Sequence, residues 1–249
     1  EPNNAFYNST LAVRLSGALR KAVLEQTLTE IVRRHEVLRT TFQSSDGRPL
    51  QVIAEPGPMR LQEVDLSKLE AADREAMVRR LAHEQVSQPL DLSRGLLLRL
   101  ELLRLGPQEH VVLLTMHHII SDAWSTGVLV KEVAALYRAY YEQLESPLPE
   151  LEVQYADYAA WQRNWLQGAV LRSQLGYWEK QLRGAAMLEL PADKPRPAIP
   201  TYRGGRHSFV LDAAVSEGIK QLARREGTTL FMTLLAAFQV LLSRYSGQT

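Results

Sequence analysis

The sequence predicts an α/β fold, a two-layer sandwich in which helices cover an antiparallel sheet. Apolar residues recur at helical spacing in several segments, and two apolar runs joined by a tight turn are typical of a β-hairpin. The composition, 45% hydrophobic and 23% charged over 249 residues, is that of a globular protein. A chain of this length can bury a sizeable core in one large domain or two small ones.

The first predicted helix spans residues 18 to 35, after the turn at Ser16-Gly17. Leu24, Leu28 and Ile31 recur at helical spacing, and His35 falls on the same apolar face. We therefore expect an amphipathic helix that packs on the sheet.

The hairpin is predicted in the middle of the chain. Leucines alternate over residues 96 to 102, Gly106-Pro107 turns the chain, and residues 110 to 116 are almost all apolar. A long helix then begins near Ser125 and ends before Pro147. Residues 117 to 124 are thereby predicted to form a strand-to-helix loop.

The later segments begin with a helix over residues 155 to 182 that contains Trp161, with Gly168 as its weak point. Residues 184 to 205 hold four prolines and a glycine pair and form the best linker candidate. We expect a first lobe over residues 1 to 183.

The last section, residues 206 to 249, is predicted to begin a second lobe. It contains a strand over 206 to 211 and helices over 213 to 226 and 229 to 245, with Thr228 and Thr229 as candidate caps of the second helix. These residues would form only the beginning of a second lobe.

Composition excludes several classes of function. A net charge of +1 provides no basic field for nucleic acid, and the absence of cysteine excludes disulfides, thiolate zinc sites and a cysteine nucleophile. The longest apolar stretch, residues 230 to 242, is shorter than the roughly 20 residues of a bilayer span. Because residues 1 to 4 show neither an initiator Met nor a leader pattern, we expect a cytoplasmic fragment of a longer chain.

Residues 116 to 125, Met-His-His-Ile-Ile-Ser-Asp-Ala-Trp-Ser, carry the strongest chemical signal. They place His117, His118 and Asp122 in a loop that leaves a buried strand. Imidazole titrates near neutral pH, so a histidine at the mouth of a sheet can take or share a proton. One alternative is purely structural, with both histidines hydrogen-bonded and Asp122 as a helix N-cap.

Metal and hydrolase interpretations of this stretch are weaker. Adjacent histidines project to opposite sides of a strand and no His-Glu-x-x-His string occurs, so no metal site is predicted. No Gly-x-Ser-x-Gly elbow surrounds Ser121 or Ser125, and no phosphate-binding glycine loop is present.

Three blocks of sequence, in order, carry a resemblance to a known family. Residues 117 to 123 (His-His-Ile-Ile-Ser-Asp-Ala) resemble the His-His-x-x-x-Asp-Gly signature of nonribosomal peptide synthetase condensation domains. Residues 34 to 42 are similar to the family's Arg-His-Glu-x-Leu-Arg-Thr-x-Phe block, and residues 155 to 161 to its Tyr-x-Asp-x-Ala-Val-Trp block. Ala123 replaces the glycine of the signature, which penalises a positive φ if the turn needs one.

The resemblance implies a chloramphenicol-acetyltransferase-like lobe with a mixed, largely antiparallel sheet. It implies amide bond formation, in which the amine of one carrier-bound substrate attacks the acyl thioester of another. No cofactor is bound directly, because both substrates hang on the 4'-phosphopantetheine of partner carrier proteins. The implied partners are an upstream donor carrier, a downstream acceptor carrier and an adjacent adenylation domain, with no nucleic acid or membrane.

The resemblance also implies roles for individual residues. His118 is expected to contact the attacking amine, as general base or as orienting acceptor, while His117 packs beneath it. Asp122 is either a catalytic acid or a structural anchor, and the anchor is favoured because a paired carboxylate stays ionised.

The anchor role needs an arginine as the partner of Asp122. Arg244 is the first candidate, and Arg39 and Arg34 are alternatives. Ser125 and Trp161 complete the supporting set, and for Arg34, Arg39 and Trp161 a packing role is as well supported as a catalytic one.

Two other functions remain open from the sequence. An epimerisation domain shares the double-histidine signature, and a truncated lobe could dock carrier proteins without turnover. Because the family's tunnel lies between two lobes, we expect this piece alone to have little or no activity and to expose an apolar patch.

Overall fold

The computed structural model describes residues 4–195, 198, 205 and 207–248. Its chain divides into two compact units, residues 1–170 and 171–249. This boundary precedes the predicted linker at 184 to 205, so the division into lobes stays a prediction. Of the positions used above, residues 1–3, Pro197, Pro200, Gly204 and Arg206 lie outside the described residues.

The first unit contains a four-stranded mixed sheet and a separate hairpin. The strands are β1 (Asn8–Ser16), β2 (Thr40–Ser45), β3 (Arg48–Ile53), β4 (Gln62–Asp65), β5 (Leu98–Gly106) and β6 (Glu109–His117). The sheet has the order β1-β6-β5-β4, in which β6 is antiparallel to both neighbours and β4 is parallel to β5. Strands β2 and β3 form the hairpin. The predicted hairpin over residues 96 to 116 is therefore present as β5 and β6.

Helices lie on both faces of this sheet. They are α1 (Lys21–Arg34), α2 (Ala71–Ser87) and α3 (Ala123–Tyr141), and α4 (Tyr155–Trp165) follows them in the chain. Leu28 of α1 and Leu136 of α3 share one core with Leu102 and Leu114, whereas Val78 of α2 belongs to a second core with Leu113 and Leu103. Because β5 and β6 are apolar on both sides, α2 adds a third layer to the predicted two.

The chain after α4 contains α5 (Gly168–Leu182), α6 (Ala213–Arg225) and α7 (Leu230–Ser246). Thr229, one of the two candidate caps, accepts a hydrogen bond from Met232 N–H at the start of α7. The strand predicted over 206 to 211 is wrong for residues 207–211, which have no regular structure. No described segment pairs with them, and an extended segment needs a neighbour to satisfy its backbone groups.

Two predicted helix boundaries are corrected. The single helix over residues 155 to 182 is two helices, because the chain breaks before Gly168, whose φ is +54°. Helix α3 begins at Ala123 rather than near Ser125, because Asp122 caps it. Among the described residues no helix by itself has the length and hydropathy of a membrane span, and α6 with α7 meets that test only as a pair bent by 108°.

Candidate active site

The candidate site is the short turn from His118 to Asp122 that joins β6 to α3. Both sides of the strand end are held by backbone hydrogen bonds, from His117 N–H to the Leu97 carbonyl at 3.0 Å and from His118 N–H to the Tyr7 carbonyl at 2.8 Å. The turn therefore begins at the end of an inner strand, β6, whose backbone is held on both sides.

The His118 ring is exposed and has a defined hydrogen bond. Its Nδ1 lies 2.6 Å from the carbonyl oxygen of Ser121. A carbonyl only accepts, so the neutral ring carries its proton on Nδ1 and leaves a lone pair on Nε2. Among the described residues no hydrogen bond reaches Nε2, so this nitrogen is available to an external hydrogen-bond donor.

His117 is buried behind the turn, as strand alternation predicts. Its side chain is 8% exposed, and its Nδ1 accepts a hydrogen bond from Ile119 N–H at 3.0 Å. Burial, and secondarily the charge of His118, lowers the pKa of His117, because a desolvated imidazolium is unfavourable. The lowered pKa favours the neutral ring, whose Nδ1 is used by the Ile119 N–H.

Asp122 is the N-cap of α3. Its Oδ1 accepts a hydrogen bond from Ser125 N–H at 2.7 Å, and its own N–H donates to Ser125 Oγ at 2.8 Å, which makes a reciprocal capping box. The bonds from Ser125, chiefly its backbone N–H, hold the pKa of Asp122 below the ordinary aspartate range. The capping interpretation of this residue is confirmed, and an ionised carboxylate cannot donate a proton.

Ala123 fits this turn without strain. It is the first residue of α3, and it is not among the described residues with a positive φ. Alanine is the best helix former, so the methyl group that replaces the family's glycine costs nothing here.

The comparisons with known proteins agree with this geometry. The model of the condensation-domain family matches residues 1–249. The chain belongs to the condensation-domain family. One of the linear gramicidin synthase proteins of Brevibacillus parabrevis is 47% identical over 247 residues, 99% of this condensation domain but 5% of that protein. Phosphinothricin tripeptide synthetase PhsC of Streptomyces viridochromogenes is 41% identical over 249 residues, all of this chain and 23% of that protein.

A solved structure supports the same fold. The X-domain from teicoplanin biosynthesis superposes with a TM-score of 0.85 at 33% identity, covering 96% of this condensation domain and 53% of that chain. The chain thus spans about half the length of this neighbour and a small part of the curated relatives. The predicted α/β class and the family resemblance are confirmed.

The supporting arginines of the first unit do not join Asp122. Arg34 pairs with Glu132 and donates to the Pro149 carbonyl, while Arg39 pairs with Glu36. Both alternatives for the partner of Asp122 are therefore wrong, because each guanidinium is paired elsewhere. Arg244 lies in α7 of the second unit, and its pairing with Asp122 stays a prediction.

Trp161 is not in the turn either. It lies on α4 with its side chain 53% exposed, and its ring stacks on Trp165 with centroids 5.4 Å apart. The structure thus brings together His117, His118, Asp122 and Ser125, all from one stretch of sequence.

A cavity of about 170 Å³ lies beside the turn, and its lining includes His35, which the sequence predicts on the apolar face of the first helix. Its lining contains Ser121 and Trp124 on one side and His35 on another. His35 bonds through Nε2 to Glu132 of α3. The only sequence signal for this contact was the histidine on an apolar helix face, and nothing in the pattern named Glu132 as its partner.

Metal binding has no support in the described part of the chain. No group of three or more His, Asp or Glu side chains there could hold a metal ion.

Proposed function

We propose that this condensation domain forms an amide bond between two tethered substrates. The observation that carries the proposal is the exposed His118 ring, whose Nδ1 is held by the Ser121 carbonyl so that Nε2 is open. The family match and the synthetase relatives support the same reaction class.

The reaction requires only proton handling and positioning. The acceptor amine attacks the acyl carbon of the donor thioester, the new C–N bond forms, the C–S bond breaks, and the sulfur leaves as a thiol after it takes the proton that the amine loses. An α-amine has a pKa of about 8 in water, so it is readily neutral. His118 Nε2 either accepts its proton or orients its lone pair, and both assignments fit the available nitrogen.

Asp122 acts in this proposal as an anchor rather than as an acid. Its carboxylate is used in capping α3, and its lowered pKa keeps it ionised. An additional ion pair with Arg244 is part of the proposal and would tie the turn to the second unit.

The partners are proposed from the family. The substrates would arrive as thioesters on the 4'-phosphopantetheine arms of an upstream donor and a downstream acceptor carrier protein, next to an adenylation domain. The domain itself needs no bound cofactor for this chemistry. This chain covers about half of a solved neighbour, so we propose that it has little or no turnover by itself. We also propose that it works in the cytoplasm as part of a synthetase.

The test uses a complete synthetase that contains this domain, loaded with donor and acceptor substrates. His118→Ala should lower the rate of amide formation at least about 100-fold if proton transfer is its task, since general-base catalysis is worth roughly 10²–10⁴. His83→Ala, which removes an exposed histidine from α2, is the matched control and should leave the rate unchanged. Product would be quantified by mass spectrometry of the acceptor carrier.

Undiminished amide formation in the His118 variant would remove this residue from the mechanism. A wild-type synthetase that makes no amide would instead favour the second candidate, a non-catalytic docking module. That candidate has one specific observation in its favour, since the X-domain from teicoplanin biosynthesis has been solved in complex with OxyB. Epimerisation is not proposed, because the matching family is named for condensation.

A further inference from the structure

Two sets of polar contacts join α3 to the two ends of α1. At one end Arg20, the N-cap of α1, donates its backbone N–H to the Tyr137 hydroxyl at 2.9 Å. At the other end Arg34 and His35 both bond to the carboxylate of Glu132. The second end is the one closer along α3 to the His118 turn.

The Glu132 contact is partly buried, and each of its two oxygens has its own partner. Oε1 accepts from Arg34 Nε at 3.3 Å and Oε2 from His35 Nε2 at 2.5 Å, and the three side chains are 13%, 5% and 22% exposed. A carboxylate only accepts hydrogen bonds, so Arg34 Nε and His35 Nε2 both donate to Glu132. Removing one partner would leave a buried donor without an acceptor, which is costly.

The side chain of Gln154 also binds the backbone at the C-terminal end of α1. The Gln154 amide donates through Nε2 to the Arg34 carbonyl at 2.9 Å and accepts at Oε1 from Glu36 N–H at 3.2 Å. Gln154 is also the N-cap of α4. The end of α1 is therefore a fixed reference against which Glu132 holds α3.

Helix α3 transmits this position to the turn. Glu132 lies nine residues after Ala123, about two and a half helical turns. The start of α3 is the Asp122–Ser125 capping box, and the carbonyl that holds His118 belongs to Ser121, the preceding residue. A slide of α3 along α1 would move that carbonyl and re-aim the His118 ring.

We propose that Glu132 is a positioning residue for amide formation, because its carboxylate sets the register of α3 against α1 and thereby the orientation of His118. Hydrogen bonds to a carboxylate are directional as well as strong, so two of them on one carboxylate favour a single register of the two helices. The inference deepens the proposed function and depends on it.

The test is Glu132→Gln in the complete synthetase. Glutamine keeps the shape but replaces one acceptor oxygen with an NH2 donor, so the side chain can no longer accept from Arg34 Nε and His35 Nε2 on two separate oxygens. We expect kcat per folded molecule to fall about 10- to 100-fold, as for a misplacement near 1 Å, with the KM for the acceptor carrier unchanged. Tyr137→Phe breaks the contact at the other end of α1 and is the matched control, with kcat per folded molecule unchanged.

A spectroscopic readout separates positioning from simple stability. The ¹⁵N resonances of the His118 ring should report the Nδ1–H tautomer in the wild type and in Tyr137→Phe, and a mixture of tautomers in Glu132→Gln. If Glu132→Gln does not accumulate as folded protein, His35→Phe, which removes one donor and keeps an aromatic ring, should show the same loss of kcat.

Two results would overturn the inference alone. One is a Glu132→Gln enzyme with the kcat per folded molecule of the wild type, and the other is an equal loss in Tyr137→Phe, which would mean general loosening. A wild-type synthetase that makes no amide would instead overturn the proposed function, and the inference with it.

Discussion

At the scale of single residues, one hydrogen bond decides which nitrogen of His118 can meet a substrate. The Ser121 carbonyl takes the Nδ1 proton, so Nε2 carries the lone pair and faces no described partner. His117, next in the chain, has the opposite arrangement, since its Nδ1 accepts from Ile119 N–H. Two adjacent histidines thus hold their protons on different nitrogens because the backbone offers one an acceptor and the other a donor.

Substitutions of Asp122 can separate the effect of its N-cap hydrogen bond from the effect of its charge. Asn at an N-cap accepts the same hydrogen bond as Asp, so Asp122→Asn should keep a melting temperature close to the wild type, whereas Asp122→Ala should lower it. Since the folded pKa is depressed, the carboxylate's contribution is complete above the ordinary aspartate pKa and is lost as pH falls through the lower folded value. The Asn variant should lack this acid-range loss in thermal melts monitored by circular dichroism.

The control is Asp212→Asn at the N-cap of α6, where Oδ1 accepts from Val215 N–H at 2.8 Å. An Asp122→Asn protein as unstable as the Ala variant would show that the charge matters more than the cap. The expected result is compatible with the proposed ion pair to Arg244, because both side chains are exposed and an exposed ion pair contributes little to stability.

At the scale of elements, the break between α4 and α5 depends on one backbone angle. Gly168 opens α5 with a φ of +54°, in the left-handed region that residues with a Cβ avoid, while Gly176 sits inside the same helix with an ordinary φ. Neither position has an atom within 4 Å of an added Cβ. Both positions therefore have room for a methyl group, and they differ only in backbone conformation.

Alanine at these two glycines should have opposite effects on stability. Gly168→Ala should lower the free energy of unfolding by about 1–2 kcal/mol through the strain of a left-handed alanine. Gly176→Ala should raise it by about 0.5–1 kcal/mol, because alanine is the better helix former. Urea denaturation of both variants checks this, and a loss at both positions would contradict it.

At the scale of the whole molecule, α4 carries a row of exposed aromatic side chains on its surface. Its members recur at helical spacing and are 43–53% exposed: Tyr155, Tyr158, Trp161 and Trp165. Neighbouring rings lie 5.4–6.0 Å apart along the helix. A contiguous aromatic surface of this kind is typical of an interaction face rather than of scattered surface residues.

This row should make the chain self-associate when it is produced alone. Sedimentation velocity should show a sedimentation coefficient that rises with protein concentration, because pairing removes aromatic surface from water. Trp161→Gln should weaken the effect, while Val210→Ser, at a residue that is 96% exposed outside the row, should not. A single monomeric species at all concentrations would contradict the expectation.

Elements with strong local patterns were predicted well, and those that depend on distant partners were not. Helix α1 and the β5–β6 hairpin follow from regular apolar spacing, and α7 also from its capping threonine. Strands β1 and β4 were missed, since their identity comes from pairing with β6 and β5. Helix α2 was missed as well, and only its Val78 is fully buried.

The amino-acid sequence alone determined the α/β class, the family and the turn that carries His118, because periodicity, capping residues and a continuous motif are local properties. Only the tertiary structure decided which nitrogen of His118 is open, that Arg34 and Arg39 bond elsewhere than to Asp122, and that Glu132 joins α1 to α3. Those facts depend on which buried donor meets which acceptor across the fold, and a linear pattern does not specify partners about 100 residues apart.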